Sequence, residues 1–143
     1  MQQCVSPYSI RRVDGDDEAD TIHELHRATS EFPDIDPGNG WWWFAYFDDV
    51  PVAYAGIIQS TVYTNAAYFT RVGVLPAHRG NNLQFRLMRV MERYARRSGF
   101  EFMISDTTHT VHSANNFVKA GWRMFDPVVP WAFADTLYWR KDL

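Results

Sequence analysis

Arg79, Gly80, Asn81 and Asn82 stand between a Val-rich segment and a long apolar-periodic one. A strand that feeds a helix through a glycine-containing turn presents backbone N–H groups and the positive end of the helix dipole. That combination suits a phosphate or another anion. The backbone amides of Asn81, Asn82, Leu83 and Gln84 are the donors expected here, with Arg79 as a charged one and Arg86 and Arg89 serving outlying phosphates. Alone the four residues are a weak signal, because plain surface turns also open helices this way. A second group is Asp106, His109 and His112. A carboxylate and two imidazoles are residue types that accept a proton from a reacting group. Asp106 could equally cap the next helix, with His112 in its first turn. A third group is Glu31, Asp34 and Asp36, in a Pro- and Gly-rich segment that reads as a solvated loop or as a lure for a cationic ligand.

The elements that must position these groups follow from apolar spacing and turn chemistry. Ser6–Val13 reads as a first strand closed by Asp14-Gly15. Asp16–Thr29 reads as a helix, with Asp16 and Asp17 as caps and Ala19, Ile22 and Leu25 on one face. His23 and His26 are not at i,i+4 and read as solvated helix residues rather than a metal pair. Trp41–Phe47 is a strand by aromatic enrichment, and Val52–Ser60 is its return strand. Gly56 there marks a bulge or the close approach of another group. Thr64–Leu75 is a longer strand ended by Pro76. Leu83, Leu87, Val90, Met91 and Tyr94 give the spacing of a buried helical face, and Gly99 stops that helix. Phe100–Ser105 is a strand placed parallel to Thr70–Leu75 by the crossover helix. A short helix at His112–Lys119, a strand at Trp122–Phe125 and a last strand at Trp131–Arg140 complete the chain. The order is β-α-βββ-α-β-α-ββ, an α+β fold on one mixed sheet.

Composition bounds the rest. A chain of 143 residues suits one domain, spanning 1–143, and 46% hydrophobic residues can build its core. The lone Cys4 points to a reducing compartment, and a cytoplasmic location is expected, with neither a signal peptide nor a membrane segment. Residues 1–50 hold eleven Asp and Glu against three Arg, while the rest hold eleven Lys and Arg against six acids. Five His and one Cys without HExxH or CxxC spacing argue against a metal site. Glu92 interrupts the arginine run of the long helix, and the net charge is −3, so no nucleic-acid partner is expected.

The element order and the wording of two segments resemble the GNAT superfamily of acyl-CoA N-acyltransferases. Val72, Val74 and Pro76 match its hydrophobic segment before the pyrophosphate loop, and Arg79 and Gly80 match the loop's opening. Asn82 and Gln84 stand where the family has Gly and Gly or Ala. Ser113–Trp122 is similar to its second CoA-side segment, fitting at Lys119, Gly121 and Trp122, with Phe117 in place of a tyrosine.

The resemblance implies a GNAT-like fold, a central mixed and mostly antiparallel sheet flanked by helices, with acetyl-CoA as co-substrate and no metal. It assigns Val72 and Val74 to the pantetheine arm, which needs the two parallel strands to splay apart. Arg79, Gly80, Asn81, Asn82, Leu83 and Gln84 go to the pyrophosphate, and Asn116 and Phe117 to the second CoA-side segment. It implies direct attack of a primary amine on the thioester in a ternary complex. Asp106 is the first candidate base, with His112 and His109 next, and an amide near Val74 serves the oxyanion. Phe117 cannot protonate the leaving thiolate. Ser113, a water or an Asn would do so, or the thiolate leaves unaided, since thiols are fairly acidic. The acceptor is a small amine or a protein or peptide, and a homodimer could pair through the aromatic last strand. A degenerate domain that binds acyl-CoA or a protein partner without turnover is the alternative.

Overall fold

A computed structural model describes residues 6–143; Cys4 lies outside them. The elements are β1 (Tyr8–Val13), α1 (Ala19–Thr29), β2 (Trp41–Phe47), β3 (Val50–Gln59), β4 (Ala66–Val74), a 3-10 turn (Pro76–His78), α2 (Leu83–Arg97), β5 (Phe102–Thr107), α3 (Val111–Lys119), β6 (Arg123–Met124) and β7 (Leu137–Asp142). Their sequence is the one the apolar spacing predicts. The seven strands lie in the order β1-β2-β3-β4-β5-β7-β6. β1 on β2, β5 on β7 and β6 on β7 are antiparallel, while β4 on β5 is parallel. The fold is the mixed, mostly antiparallel α+β sheet with helices that the sequence implies.

The chain divides into two compact units, one of residues up to Gly56 with Arg71–Leu87, the other of Ile57–Thr70 with Met88–Leu143. The first has a core of Ile22, Leu25, Trp42, Phe44 and Tyr54. Trp42, Trp43 and Phe44 are all buried, so the aromatic run of β2 covers both of its faces. Gly56 is where another group comes close: a Cβ there would lie 2.3 Å from Cε3 of Trp42, and glycine admits the indole. In the second unit Ala66, Phe102 and Ile104 pack with Tyr63, Tyr68, Phe125 and Trp131.

Four expectations are corrected. The first helix begins at Ala19 rather than Asp16, because Asp14 Oδ1 accepts the amides of Asp16 and Asp17 at 2.9 and 3.1 Å and holds them in a turn. His26 is not solvated. It follows Ile22 and Leu25 on the buried face of α1, with 1% of its surface exposed. Its Nδ1 is 2.6 Å from the Tyr54 hydroxyl, and its Nε2 is 3.1 and 3.0 Å from the carbonyl oxygens of Phe32 and Pro33. A carbonyl only accepts, so Nε2 carries the proton. β5 runs to Thr107, which puts Asp106 within the strand. The last strand starts at Leu137, not Trp131. It lies between β5 and β6, and the two-residue β6 pairs with it at Arg140 and Trp139.

Candidate functional site

The anion-loop residues all lie in the first unit. After the 3-10 turn, Gly80 and Asn82 both have left-handed backbone, at φ +83° and +63°. Glycine takes this conformation freely, and asparagine tolerates it better than most residues. Asn82 therefore keeps the local path that a glycine would give. Its carbonyl accepts the Arg86 amide at 3.1 Å, and Leu83 opens α2. Asn81 Nδ2 donates to the His78 carbonyl at 3.0 Å, which ties the turn to the loop. Leu83 and Gln84 are buried, while Arg79, Gly80, Asn81 and Asn82 are exposed. Arg79 Nε donates to the Val74 carbonyl at 3.3 Å, and Val72 and Val74 are half-buried. First-turn amides of an α-helix have no acceptor within the helix, so this end of α2 carries the positive end of its dipole. Arg86 turns elsewhere: it donates to Ser6 Oγ at 3.0 Å and to the Tyr8 carbonyl at 3.4 Å, which ties α2 to the start of β1. Arg89 is exposed.

The acidic segment in the same unit is partly spent on its own structure. Asp34 is 3.7 Å from Arg27 Nε and 3.9 Å from His23 Nδ1. Asp36 Oδ1 accepts the Gly38 amide at 3.1 Å. Glu31 is exposed.

Asp106 belongs to the second unit. Its Oδ2 accepts hydrogen bonds from the Tyr68 hydroxyl and, at 2.8 Å, from Trp131 Nε1. Tyr138, its cross-strand partner on β7, has its ring 4.6 Å from that of Trp131. The segment from β6 to β7 is braced by tyrosine hydroxyls: the Val128 amide donates to Tyr63 and the Ala132 amide to Tyr138, at 3.1 and 3.0 Å. The parallel ladder pairs Ala66–Tyr68 with Phe102–Ile104 and stops there although β5 continues to Thr107. Beyond it the Ser105 hydroxyl donates to the Phe69 carbonyl at 2.8 Å.

Of the proton acceptors named from sequence, Asp106 is joined by Tyr68 and Trp131 and not by the histidines. His112 is exposed, with Nε2 3.3 Å from Asn116 Nδ2. His109 is exposed, 3.8 Å from Asp135 Oδ2. Asp106 does not cap α3, whose N-cap is Thr110. The Phe117 ring is buried and packs 5.5 Å from Phe69, 4.8 Å from Trp122 and 5.6 Å from Trp139. Tyr68 and Trp131 went unnoticed in the sequence. Pro130 directly before Trp131 was the available hint of a loop rather than a strand, and a tryptophan packed in a loop needs an acceptor for its N–H. Among the described residues, no group of three or more His, Cys, Asp or Glu gathers as for a metal ion, and no helix is long and apolar enough to cross a membrane.

A seven-stranded mixed sheet, with its glycine-opened turn leading from β4 into α2, defines the class of acyl-CoA N-acyltransferase folds. The sequence model of the Acetyltransferase (GNAT) family matches residues 8–122, and the chain belongs to that family. It is by membership an acyltransferase. Its fold is similar to that of a protein from Desulfovibrio desulfuricans described as a GNAT-family acetyltransferase. The two share 16% identity over 94% of this chain and 98% of the other, with a TM-score of 0.78. YncA of Salmonella typhimurium, solved with acetyl-CoA, is 17% identical over 96% and 94% of the two chains, with a TM-score of 0.74. PaiA N-acetyltransferase of Thermoplasma acidophilum, solved with coenzyme A, is 11% identical over 95% and 99%, with a TM-score of 0.75. Comparison with curated protein sequences gives no significant match.

Proposed function

We propose that the protein is an N-acetyltransferase that moves an acetyl group from acetyl-CoA to a primary amine, by direct attack in a ternary complex and without a metal. The observation that carries this reading is the paired left-handed backbone of Gly80 and Asn82 at the head of α2. Left-handed turns at the head of a helix are the kind of backbone in which successive amides can face one anion, as a diphosphate requires. Arg79, Gly80, Asn81, Asn82, Leu83 and Gln84 bind the pyrophosphate. Val72 and Val74 offer strand backbone to the amides of the pantetheine arm, and Asn116 and Phe117 belong to the cofactor side by resemblance. The amine nitrogen attacks the thioester carbon, Asp106 takes its proton, and the C–S bond breaks as the tetrahedral intermediate collapses. An amide near Val74 faces the oxyanion. Phe117 has no hydroxyl to give, so water protonates the thiolate or it departs as such. A single domain over 1–143, a cytoplasmic setting and a homodimer remain part of the proposal.

A thermal-shift experiment tests it. Acetyl-CoA at a hundredfold over its dissociation constant stabilises the fold by about 2.7 kcal/mol; absence of a shift overturns the cofactor assignment. The buried Phe117 favours one other reading, a domain that binds acyl-CoA without turnover. Thiol release in a screen of amines and polyamines separates the two.

A further inference from the structure

Asp106 differs from the carboxylates that the fold pairs with cations. Asp34 has Arg27, Asp142 has Arg123 and Arg140, and the buried Glu92 has Lys141. Asp106 is half-buried, and among the described residues it has no guanidinium, ammonium or imidazole within 4.0 Å. Its two partners are neutral donors, and both reach Oδ2, which leaves Oδ1 for a further group. A charge withdrawn from water without a counter-ion is costly, and neutral hydrogen bonds offset only part of that cost. The surroundings are aromatic: Tyr68 is edge-on to Trp131 at 6.1 Å, and Trp131 is edge-on to Tyr138. Ring faces attract cations and also accept apolar groups. Tyr138 continues the wall into an open groove of about 300 Å³, lined with Met124, Phe125, Asp126, Thr136 and Leu137.

From this arrangement we infer the class of acceptor: an apolar primary amine, bound as its ammonium ion at Asp106 Oδ1, with its hydrocarbon against Trp131 and Tyr138 and no carboxylate next to the amine. This rests on the acyltransferase reading, in which Asp106 takes one proton from that nitrogen to free its lone pair for attack, and the second proton, lost as the amide forms, goes to the departing thiolate directly or through water. A carboxylate on the neighbouring carbon would lie close to the Asp106 charge, so free amino acids are excluded. The hydroxyl of Tyr68 and the indole N–H of Trp131 hold Asp106 in place for the contact.

Phenethylamine and phenylalanine form a matched pair that differs by one carboxylate. Calorimetry on the full chain, with and without coenzyme A, measures both. Phenethylamine should bind at least tenfold more tightly than phenylalanine, and Asp106→Asn should remove that preference while coenzyme A still binds. Equal affinities, no phenethylamine binding, or a preference that survives Asp106→Asn overturns the inference. If the variant does not fold, the wild-type comparison decides alone. Failure of coenzyme A to bind counts against the acyltransferase reading, and the amine comparison without coenzyme A still judges the amine site.

Discussion

Lys141 Nζ lies 3.4 Å from Glu92 Oε1 and 2.7 Å from the Ala120 carbonyl oxygen, so one ammonium group joins β7 to α2 and to the end of α3. Glu92 is buried, and its Oε2 has no hydrogen-bond partner. Burial pushes the Glu92 carboxyl up from its usual 4.5, and the nearby Lys141, Arg89 and Arg96 only partly offset this.

A pH dependence follows from that direction. A carboxyl raised on folding contributes stability that is full below its unfolded value and is lost as pH climbs through the folded one. The wild type should therefore lose stability relative to Glu92→Gln as pH rises above 4.5. Asp142 works the other way, because its hydrogen bond from Arg140 lowers its pKa; its contribution is lost as pH falls below its usual 3.8. The difference between wild type and Glu92→Gln cancels the Asp142 effect. Urea denaturation from pH 4 to 7 measures it, and a flat difference would refute the assignment.

Arg79→Glu places a negative charge at the mouth of the proposed anion loop. The side chain is exposed, so stability should change by about 0.5 kcal/mol or less. The thermal shift with acetyl-CoA should disappear. If it persists, the pyrophosphate lies elsewhere.

Asn82 offers a graded test of backbone geometry. With φ at +63°, Asn82→Gly should leave stability and acetyl-CoA affinity near wild type. Asn82→Val places a β-branched residue in the left-handed region and should cost on the order of 1–3 kcal/mol. Equal stabilities of the two variants would contradict the conformation.

His26→Leu removes the ring that meets Tyr54 on one side and the carbonyls of Phe32 and Pro33 on the other. Buried groups left without partners cost about 1–3 kcal/mol. Chemical denaturation should show a loss of that size, and no loss would mean that the site rehydrates freely.

Phe117→Tyr restores the residue type of the family's motif. Its ring sits among Phe69, Trp122 and Trp139, so the new hydroxyl enters an aromatic core. A loss of about 1–3 kcal/mol is expected. An unchanged midpoint in denaturant would show that the hydroxyl finds a partner.

How much of this was legible in the chain depended on the range of the interaction. Element order came from local patterns: the aromatic run of β2, Pro76, Gly99 and the apolar face of α2. At Gly56 the glycine itself reported a backbone need, and of the two readings, a bulge or a close approach, the Trp42 indole accounts for the second. His26 was misread, since a polar side chain on the buried face is told apart only by partners at positions 32, 33 and 54. The start of β7 was missed because aromatic alternation at Trp131–Phe133 imitates a strand, whereas the Trp131 indole is committed to Asp106. Tyr68, Asp106 and Trp131 meet through contacts 38 and 25 residues apart, and no local spacing encodes that meeting.

The hydroxyls of Tyr63 and Tyr138 grip main-chain amides, not side chains, at Val128 and Ala132. The path between β6 and β7 is thus dictated from outside the segment, while Val128, Val129 and Phe133 point to solvent. Those three positions are free to drift in identity without redrawing the backbone that carries them. The segment is a fixed bracket with exchangeable fittings, and a lineage could retune what this face displays one substitution at a time.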